Sequence, residues 1–333
     1  MSAKEFTVYK GSPNGQVFKS STSKGPPQNQ QVLIRITHSG VCGTDEHYKT
    51  QDMVLGHEGV GIVEAVGDQV ASLKVGDRVG WGYCHGSCKH CSFCLTGKDL
   101  YCADRRLYGF TDLDQGSFAS HAVWDEDFVY PVPESLSSEA AAPLMCAGAS
   151  VYSAMQRASV RPSQRVGIIG MGGLGHLAIQ FAAKMGCETV VFSHSTNKKD
   201  EASSFGTSEF YVVGRNADSA PPVDCLLVTS AQQPSWAEAI RWTKRGGTIS
   251  VMTVDTVELN FKELPLLDLM LNAVEIQGSL PAPREMHREM LRFAAFHGIR
   301  PKVETFKLDE DGIAAAMQRL REGKVRYRAV LVA

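Results

Sequence analysis

From residue 31 to about residue 133, apolar and polar positions alternate with a period of two. Gln31–Thr37 reads QVLIRIT and Val60–Val66 reads VGIVEAV, each the pattern of a strand that buries one face. Val75–Val79 leads into a third, and glycines such as Gly67 punctuate the turns. From Arg165 the period changes. Arg165–Gly170 is a short apolar strand, after which Leu174, Leu177, Ala178, Phe181 and Met185 recur at helical spacing over Gly172–Met185, and Gly186 stands where that helix stops. Apolar segments follow at Thr189–Phe192, Phe210–Val213, Cys225–Val228, Thr248–Met252 and Val274–Gln277, separated by helical stretches near Lys198–Phe205, Trp236–Thr243 and Leu264–Leu271. Strands alternating with helices predict a parallel sheet covered on both faces. The tail predicts helices at Arg284–His297 and Asp311–Gly323 and a closing strand at Arg326–Val332. Such a tail returns most economically to the first region. The expected architecture is α/β: a β-rich domain over residues 1–149 and 284–333, interrupted by a parallel-sheet domain over 150–283.

Composition narrows the function classes. The 333 residues suit two domains, and 34 basic against 36 acidic residues, spread without long blocks, leave a net charge of −2. That balance lacks the basic footprint of a nucleic-acid or anionic-membrane binder, so neither partner is expected. The N-terminus is polar through Gln31, without a signal peptide's apolar segment, and no apolar run reaches the roughly 20 residues that span a bilayer. A cytoplasmic location is the expectation. Nine cysteines say more. Four of them crowd into one short segment, which in a chain of this size points to metal rather than to disulfides.

Three constellations carry chemistry. The first is Gly170-Met171-Gly172-Gly173-Leu174-Gly175, between the apolar strand and the helix. Its glycines permit a tight turn and close backbone approach, and the helix N-terminus offers free N–H donors to a pyrophosphate. An NAD site usually places a carboxylate about 20 residues on, to bond the ribose. Here the second strand ends in Ser193-His194-Ser195-Thr196-Asn197-Lys198-Lys199. Nothing there repels a 2′-phosphate; Ser193, Ser195, Lys198 and Lys199 are suited to hold one, which predicts NADP(H). The second is Cys88-x-x-Cys91-x-x-Cys94 with Cys102 eight positions on. Four thiolates close a tetrahedral zinc and leave no position for substrate, so this site is structural. Zinc-ribbon nucleic-acid binding is the competing use, which the near-neutral charge disfavours. Cys84, Cys187 and Cys225 have no partners in sequence and read as plain thiols. The third is Cys42, followed by Thr44-Asp45-Glu46-His47, with His57-Glu58 downstream and Cys146 far along the chain. Two thiolates and an imidazole suit a zinc with one position left open.

Together the stretches SGVCGTD (Ser39–Asp45), GHEGVG (Gly56–Gly61), the four-cysteine segment, APLMCAG (Ala142–Gly148), GMGGLGH (Gly170–His176) and VRYR (Val325–Arg328) resemble the zinc-containing medium-chain dehydrogenase/reductase superfamily. The likeness is greatest to its cinnamyl-alcohol-dehydrogenase-type, NADP-dependent branch, and it spans residues 31–333. It implies a GroES-like β-rich catalytic domain joined to a Rossmann doubly wound domain. It implies two zinc ions per chain, the catalytic one on Cys42, His57 and Cys146, with Glu58 able to take the fourth position when substrate is absent. Asp45 would orient that site, Thr44 would pass a proton and His47 would relay it to solvent. Ser150, Gly278 and Ser279 would lie near the nicotinamide, and a homodimer would form through the last Rossmann strand, near Ala273–Leu280. The implied reaction is hydride transfer between NADPH and the carbonyl of an aliphatic or aromatic aldehyde. Two rivals remain: an iminium or conjugated-alkene reductase on the same scaffold, and a non-catalytic binding protein. The segment between Cys42 and His57 is shorter than in the plant enzymes of the branch, so their preference for bulky phenylpropanoids does not carry over. Trp81 and Trp124 are candidates for the substrate pocket, with burial in the core as the alternative.

Overall fold

The strand that begins at Gln31 runs on to Val41, with Val32, Ile34 and Ile36 buried on one face. It is the spine of a seven-stranded sheet. The order across that sheet is Val303–Lys307, Arg328–Val332, Gln31–Val41, Gly59–Val66, Arg78–Trp81 and Tyr130–Pro131, with His121–Asp125 also pairing with the spine. All these pairings are antiparallel except that of Val303–Lys307 with Arg328–Val332. The tail thus docks beside the strand that leads to Cys42. Helix Arg284–His297 ends at Gly298, whose φ of 68° is the left-handed cap expected at a helix stop.

In this computed structural model, which describes residues 3–230, 234–252 and 263–333, the chain forms two compact units. One comprises Met1–Ala149 with Pro281–Ala333, the other Ser150–Leu280. The second unit is a six-stranded parallel sheet in the order Glu209–Val212, Glu188–Ser193, Arg165–Ile169, Val223–Val228, Thr243–Val251, Glu275–Gly278. In chain order this is 3-2-1-4-5-6, the doubly wound arrangement of a Rossmann fold, whose ligand crevice lies where the order reverses. Phe192, Leu226, Ile249 and Trp242 build its core, and the Phe192 and Trp242 rings stack at 4.6 Å.

Two segments depart from the periodicity. The polar N-terminal stretch contains two paired strands, Lys4–Lys10 and Phe18–Lys24. Phe6 and Val8, fully buried, anchor the first of them among residues that are otherwise charged or hydroxylated. The third strand of the first domain begins at Arg78 rather than Val75, which lies 60% exposed in the preceding turn. Among the described residues, no helix is long and apolar enough to cross a membrane.

Candidate active site

Cys42 stands at the end of the spine strand and caps the short helix Gly43–Tyr48. Asp45, at the third position of that helix, accepts the backbone N–H of Cys42 at 2.8 Å, a reciprocal capping arrangement that fixes where the sulfur points. His57 follows Gly56, whose φ of 92° and whose missing Cβ (it would lie 2.4 Å from the Phe118 ring) leave no room for another residue. Cys146 comes from a wide π-helical turn, Leu144–Gly148, between the helices Ser138–Pro143 and Ala149–Arg157. Such turns re-aim a side chain without ending the helix.

These three segments, far apart in sequence, bring one ligand-type atom each from Cys42, His57, Glu58 and Cys146 within 4.8 Å of one another. The imidazole is half committed: its Nδ1 pairs with Asp45 Oδ1 at 2.9 Å, while Nε2 is buried with no hydrogen-bond partner. A buried, unsatisfied ring nitrogen is costly unless something binds it. Beside two sulfurs, a zinc ion fits that need, and the arrangement of a ligating histidine tied to a carboxylate is the one zinc sites use. Glu58 Oε2 is likewise buried and unpartnered, while its Oε1 pairs with Arg328.

The electrostatics run the same way. A hydrogen bond from Cys146, opposed by burial and aided by His57, holds the Cys42 thiol well below its usual range. Cys146, which gives that bond and is buried, lies well above it. Burial alone would suppress the charge on His57; the Asp45 carboxylate and the Cys42 sulfur overcome it and hold the imidazole well above its ordinary value. Burial raises Glu58 to about 7, against the pull of Arg328. Thr44 sits with its hydroxyl 3.7 Å from Cys42 Sγ, and His47, on the same helix, is exposed.

The second cluster forms from one stretch. Cys91 and Cys94 sulfurs lie 3.5 Å apart, those of Cys88 and Cys94 3.9 Å, and Cys102 Sγ accepts the Cys88 backbone N–H at 3.5 Å. Four sulfurs about 2.3 Å from a zinc ion make a tetrahedron with edges of about 3.8 Å. The two sulfur separations bracket that value. Backbone N–H groups of His90 and Cys91 pull the Cys88 thiol down to about 6.

At the dinucleotide loop, Gly170 has φ of 84°, and a Cβ on Gly175 would lie 2.0 Å from the Gly170 carbonyl oxygen. Both positions require glycine. Gly172, Gly173 and Leu174 complete the turn, and the ten-residue helix Gly175–Lys184 starts directly after it. Lys198, which stands at the start of the helix Lys199–Ser204 after the neighbouring strand, donates to the Met171 carbonyl at 2.8 Å. Ser193 ends that strand and accepts from the Ser195 N–H at 3.4 Å, while Ser195 and Lys199 are exposed. Gly278 ends the edge strand, three strands from the glycine loop, and its carbonyl accepts from Arg157 at 2.7 Å; Ser279 follows it, and Ser150 lies in the helix that carries Arg157.

Trp81 and Trp124 belong to the core of the first unit, 1% and 5% exposed, and back onto a small cavity shared with His57 and His85. The aromatic rings nearest the cluster are others. Tyr108 stacks on His57 at 4.6 Å, Tyr83 meets it edge-on at 5.7 Å, and Tyr48 packs on Tyr108 at 5.5 Å. Neither Tyr108 nor Arg328, which entered only as part of the VRYR stretch, was expected at the site from sequence. An arginine in the apolar strand RAVLV is a signal in hindsight, since a buried charge demands a partner; Tyr108 offered none.

Two family models match this chain: Alcohol dehydrogenase GroES-like domain over residues 28–134 and Zinc-binding dehydrogenase over residues 173–295. An alcohol dehydrogenase of Geobacillus stearothermophilus is 34% identical over 316 residues, covering 90% of this chain and 91% of the relative. The chain belongs to the zinc-containing alcohol dehydrogenase family of medium-chain dehydrogenases/reductases. A probable cinnamyl alcohol dehydrogenase of Pinus taeda is also 34% identical, covering 92% of this chain and 89% of its own length. Among solved structures, a cinnamyl alcohol dehydrogenase from Sorghum bicolor superposes with a TM-score of 0.91 at 32% identity, covering 99% and 98% of the two chains. One from Helicobacter pylori, complexed with NADP(H), gives 0.88 at 26% identity over 99% and 98%. The GroES-like and Rossmann assignments made from sequence hold. The chain is an oxidoreductase of the alcohol dehydrogenase family.

Proposed function

We propose that this protein is a zinc-dependent, NADP(H)-using alcohol dehydrogenase that works mainly as an aldehyde reductase on aliphatic or aromatic aldehydes. The observation that carries the reading is the cluster of Cys42, His57, Glu58 and Cys146 with the His57 Nε2 left unpartnered. Cys42, His57 and Cys146 would hold one zinc, and Cys88, Cys91, Cys94 and Cys102 a second, structural one. When bound, the first zinc supplies Lewis-acid polarisation of a carbonyl oxygen, and NADPH supplies the hydride. Asp45 keeps His57 protonated on Nδ1, so that Nε2 faces the metal position. Thr44 Oγ1 delivers the proton that the product alcohol needs, and His47, exposed on the same helix, exchanges it with solvent. Glu58, buried beside these three residues, would offer a fourth ligand when no substrate is bound. Glycines 170, 172, 173 and 175, with Leu174, cradle the pyrophosphate, and Ser193, Ser195, Lys198 and Lys199 take the 2′-phosphate; the Lys198 ammonium lying over the loop supports this. Ser150, Gly278 and Ser279 complete the nicotinamide end.

The protein acts on a small molecule, with no nucleic-acid or membrane partner, in the cytoplasm and as a homodimer. Support for the dimer comes from the outermost strand Glu275–Gly278 and from the helix just before it in sequence, where Leu266, Leu267, Met270 and Leu271 are each at least 60% exposed. An unpaired sheet edge flanked by apolar side chains suits a symmetry mate. The test is a steady-state screen of aliphatic, aromatic and terpenoid aldehydes, with imines and enones alongside, using NADPH and NADH, on protein whose zinc has been counted. Aldehyde turnover preferring NADPH, with two zinc ions per chain, is expected. Rapid imine or enone reduction beside idle aldehydes would replace the reading with the alternative reductase.

A further inference from the structure

Asp45 is fully buried, and a carboxylate so placed must have its oxygens satisfied from within. Three donors meet it. The Cys42 backbone N–H serves Oδ2; His57 Nδ1 and the Tyr108 hydroxyl, each at 2.9 Å, share Oδ1. The same Tyr108 oxygen accepts the Gly56 backbone N–H at 2.9 Å, one residue before His57. Its ring lies on the imidazole, with centroids 4.6 Å apart and planes at 29°. Because its oxygen already accepts from Gly56, the hydroxyl's one proton is left for the Asp45 carboxylate. One side chain therefore touches the histidine ring, the carboxylate that orients it, and the peptide that carries it.

We propose that Tyr108 is a positioning residue of the metal centre, acting through Asp45: its hydroxyl fixes the carboxylate so that His57 presents Nε2 to the ion. This rests on the reading of Cys42, His57 and Cys146 as the zinc ligands. The logic is geometric. With only His57 left on Oδ1, the Asp45 carboxylate is free to turn about the Cys42 N–H, and the imidazole turns with it. The Gly56 N–H loses its acceptor at the same stroke, loosening the backbone on the other side of the ring. A histidine held by partners outside the ligand set gains metal affinity, typically 10–100-fold, from being held.

The test is Tyr108→Phe, which keeps the ring stack and removes only the hydroxyl, alone and combined with Asp45→Asn. Chelator competition gives the affinity of each zinc, and cobalt substitution reports ligand geometry through its visible bands. In Tyr108→Phe the Cys42 centre should lose its metal about 10-fold more readily, with an altered cobalt spectrum and a lower kcat at little changed KM. The four-cysteine zinc, unchanged, certifies that the variant is folded. In the Asp45→Asn background the Tyr108 change should cost far less than it does alone, because the route is already cut. Wild-type metal retention and spectrum in Tyr108→Phe, or penalties that simply add, would overturn the proposal while leaving the zinc reading intact. A wild-type protein holding only the four-cysteine zinc would overturn both.

Discussion

The first unit carries two sulfur clusters, and they are built in opposite ways. Cys88, Cys91, Cys94 and Cys102 come from fifteen consecutive residues, and the groups around them are chiefly the backbone N–H groups of the same loop. Cys42, His57 and Cys146 come from three segments and draw in Asp45, Glu58, Tyr108 and Arg328, every one of them buried. A closed set of four thiolates needs only to be closed. A set with one position to spare must hold its ligands from outside, because the ion cannot do it alone. That is why the tuned, charged neighbours gather at one centre and not at the other.

The sharpest way to break this comparison is to remove one ligand from each cluster. His57→Ala should lower aldehyde reduction by on the order of 10³-fold or more, the rate equivalent of the several kcal/mol that a Lewis acid contributes. NADPH binding, followed by its fluorescence, should persist, and so should the four-cysteine zinc. Full activity in this variant would end the catalytic-zinc reading. Cys94→Ser should do the reverse: it forfeits a site whose binding energy is on the order of 10 kcal/mol, so the loop from 88 to 102 becomes protease-sensitive and one zinc is lost. The other zinc, measured by competition, should stay.

Arg328→Met asks whether the charges around the buried centre depend on one another. It strands the Glu58 carboxylate and should cost roughly 3–5 kcal/mol in denaturant unfolding. Adding Glu58→Gln should restore much of that loss, since no buried charge is then left unpaired. A loss in the double variant equal to the sum of the losses in Arg328→Met and Glu58→Gln alone would show that the pair is not coupled.

The smallest effect concerns the wall behind Cys146. A Cβ on Gly82 would meet both the Met145 carbonyl and the His287 ring, which places His287 at the back of that turn. His287 stacks on Tyr130 at 4.1 Å with Nε2 unpartnered, and burial, then the Arg288 charge, pushes it down to about 3 from 6.5. Between those values the unfolded chain binds a proton that the folded one refuses, so stability is complete above pH 6.5 and falls as the pH drops toward 3. From pH 7.5 to 5 that loss is about 2 kcal/mol, and His287→Phe should remove it, leaving a flatter pH profile of the denaturation midpoint.

How much of this was legible depended on distance along the chain. The parallel sheet, the glycine loop and helix Arg284–His297 were all readable from spacing, because each is decided within a dozen or so residues. The four-cysteine cluster was readable for the same reason. Positions 42, 57 and 146 share no local pattern; their residue types suited a zinc, and the likeness to a family assigned them to one. The N-terminal strand pair escaped because two apolar anchors, Phe6 and Val8, are too few to set a period. Trp81 and Trp124 stood between a pocket and the core in sequence, and packing placed them in the core, backing onto the small cavity beside His57.

By itself, then, the sequence determined what covalent spacing can impose: strand and helix periods, a turn that admits only glycine, four sulfurs near enough to share an ion. The tertiary structure alone decided that a tyrosine at 108 and an arginine at 328 stand at the same centre as Cys42 and His57. Those contacts form only when distant segments are packed together, and their value comes from the burial that packing creates.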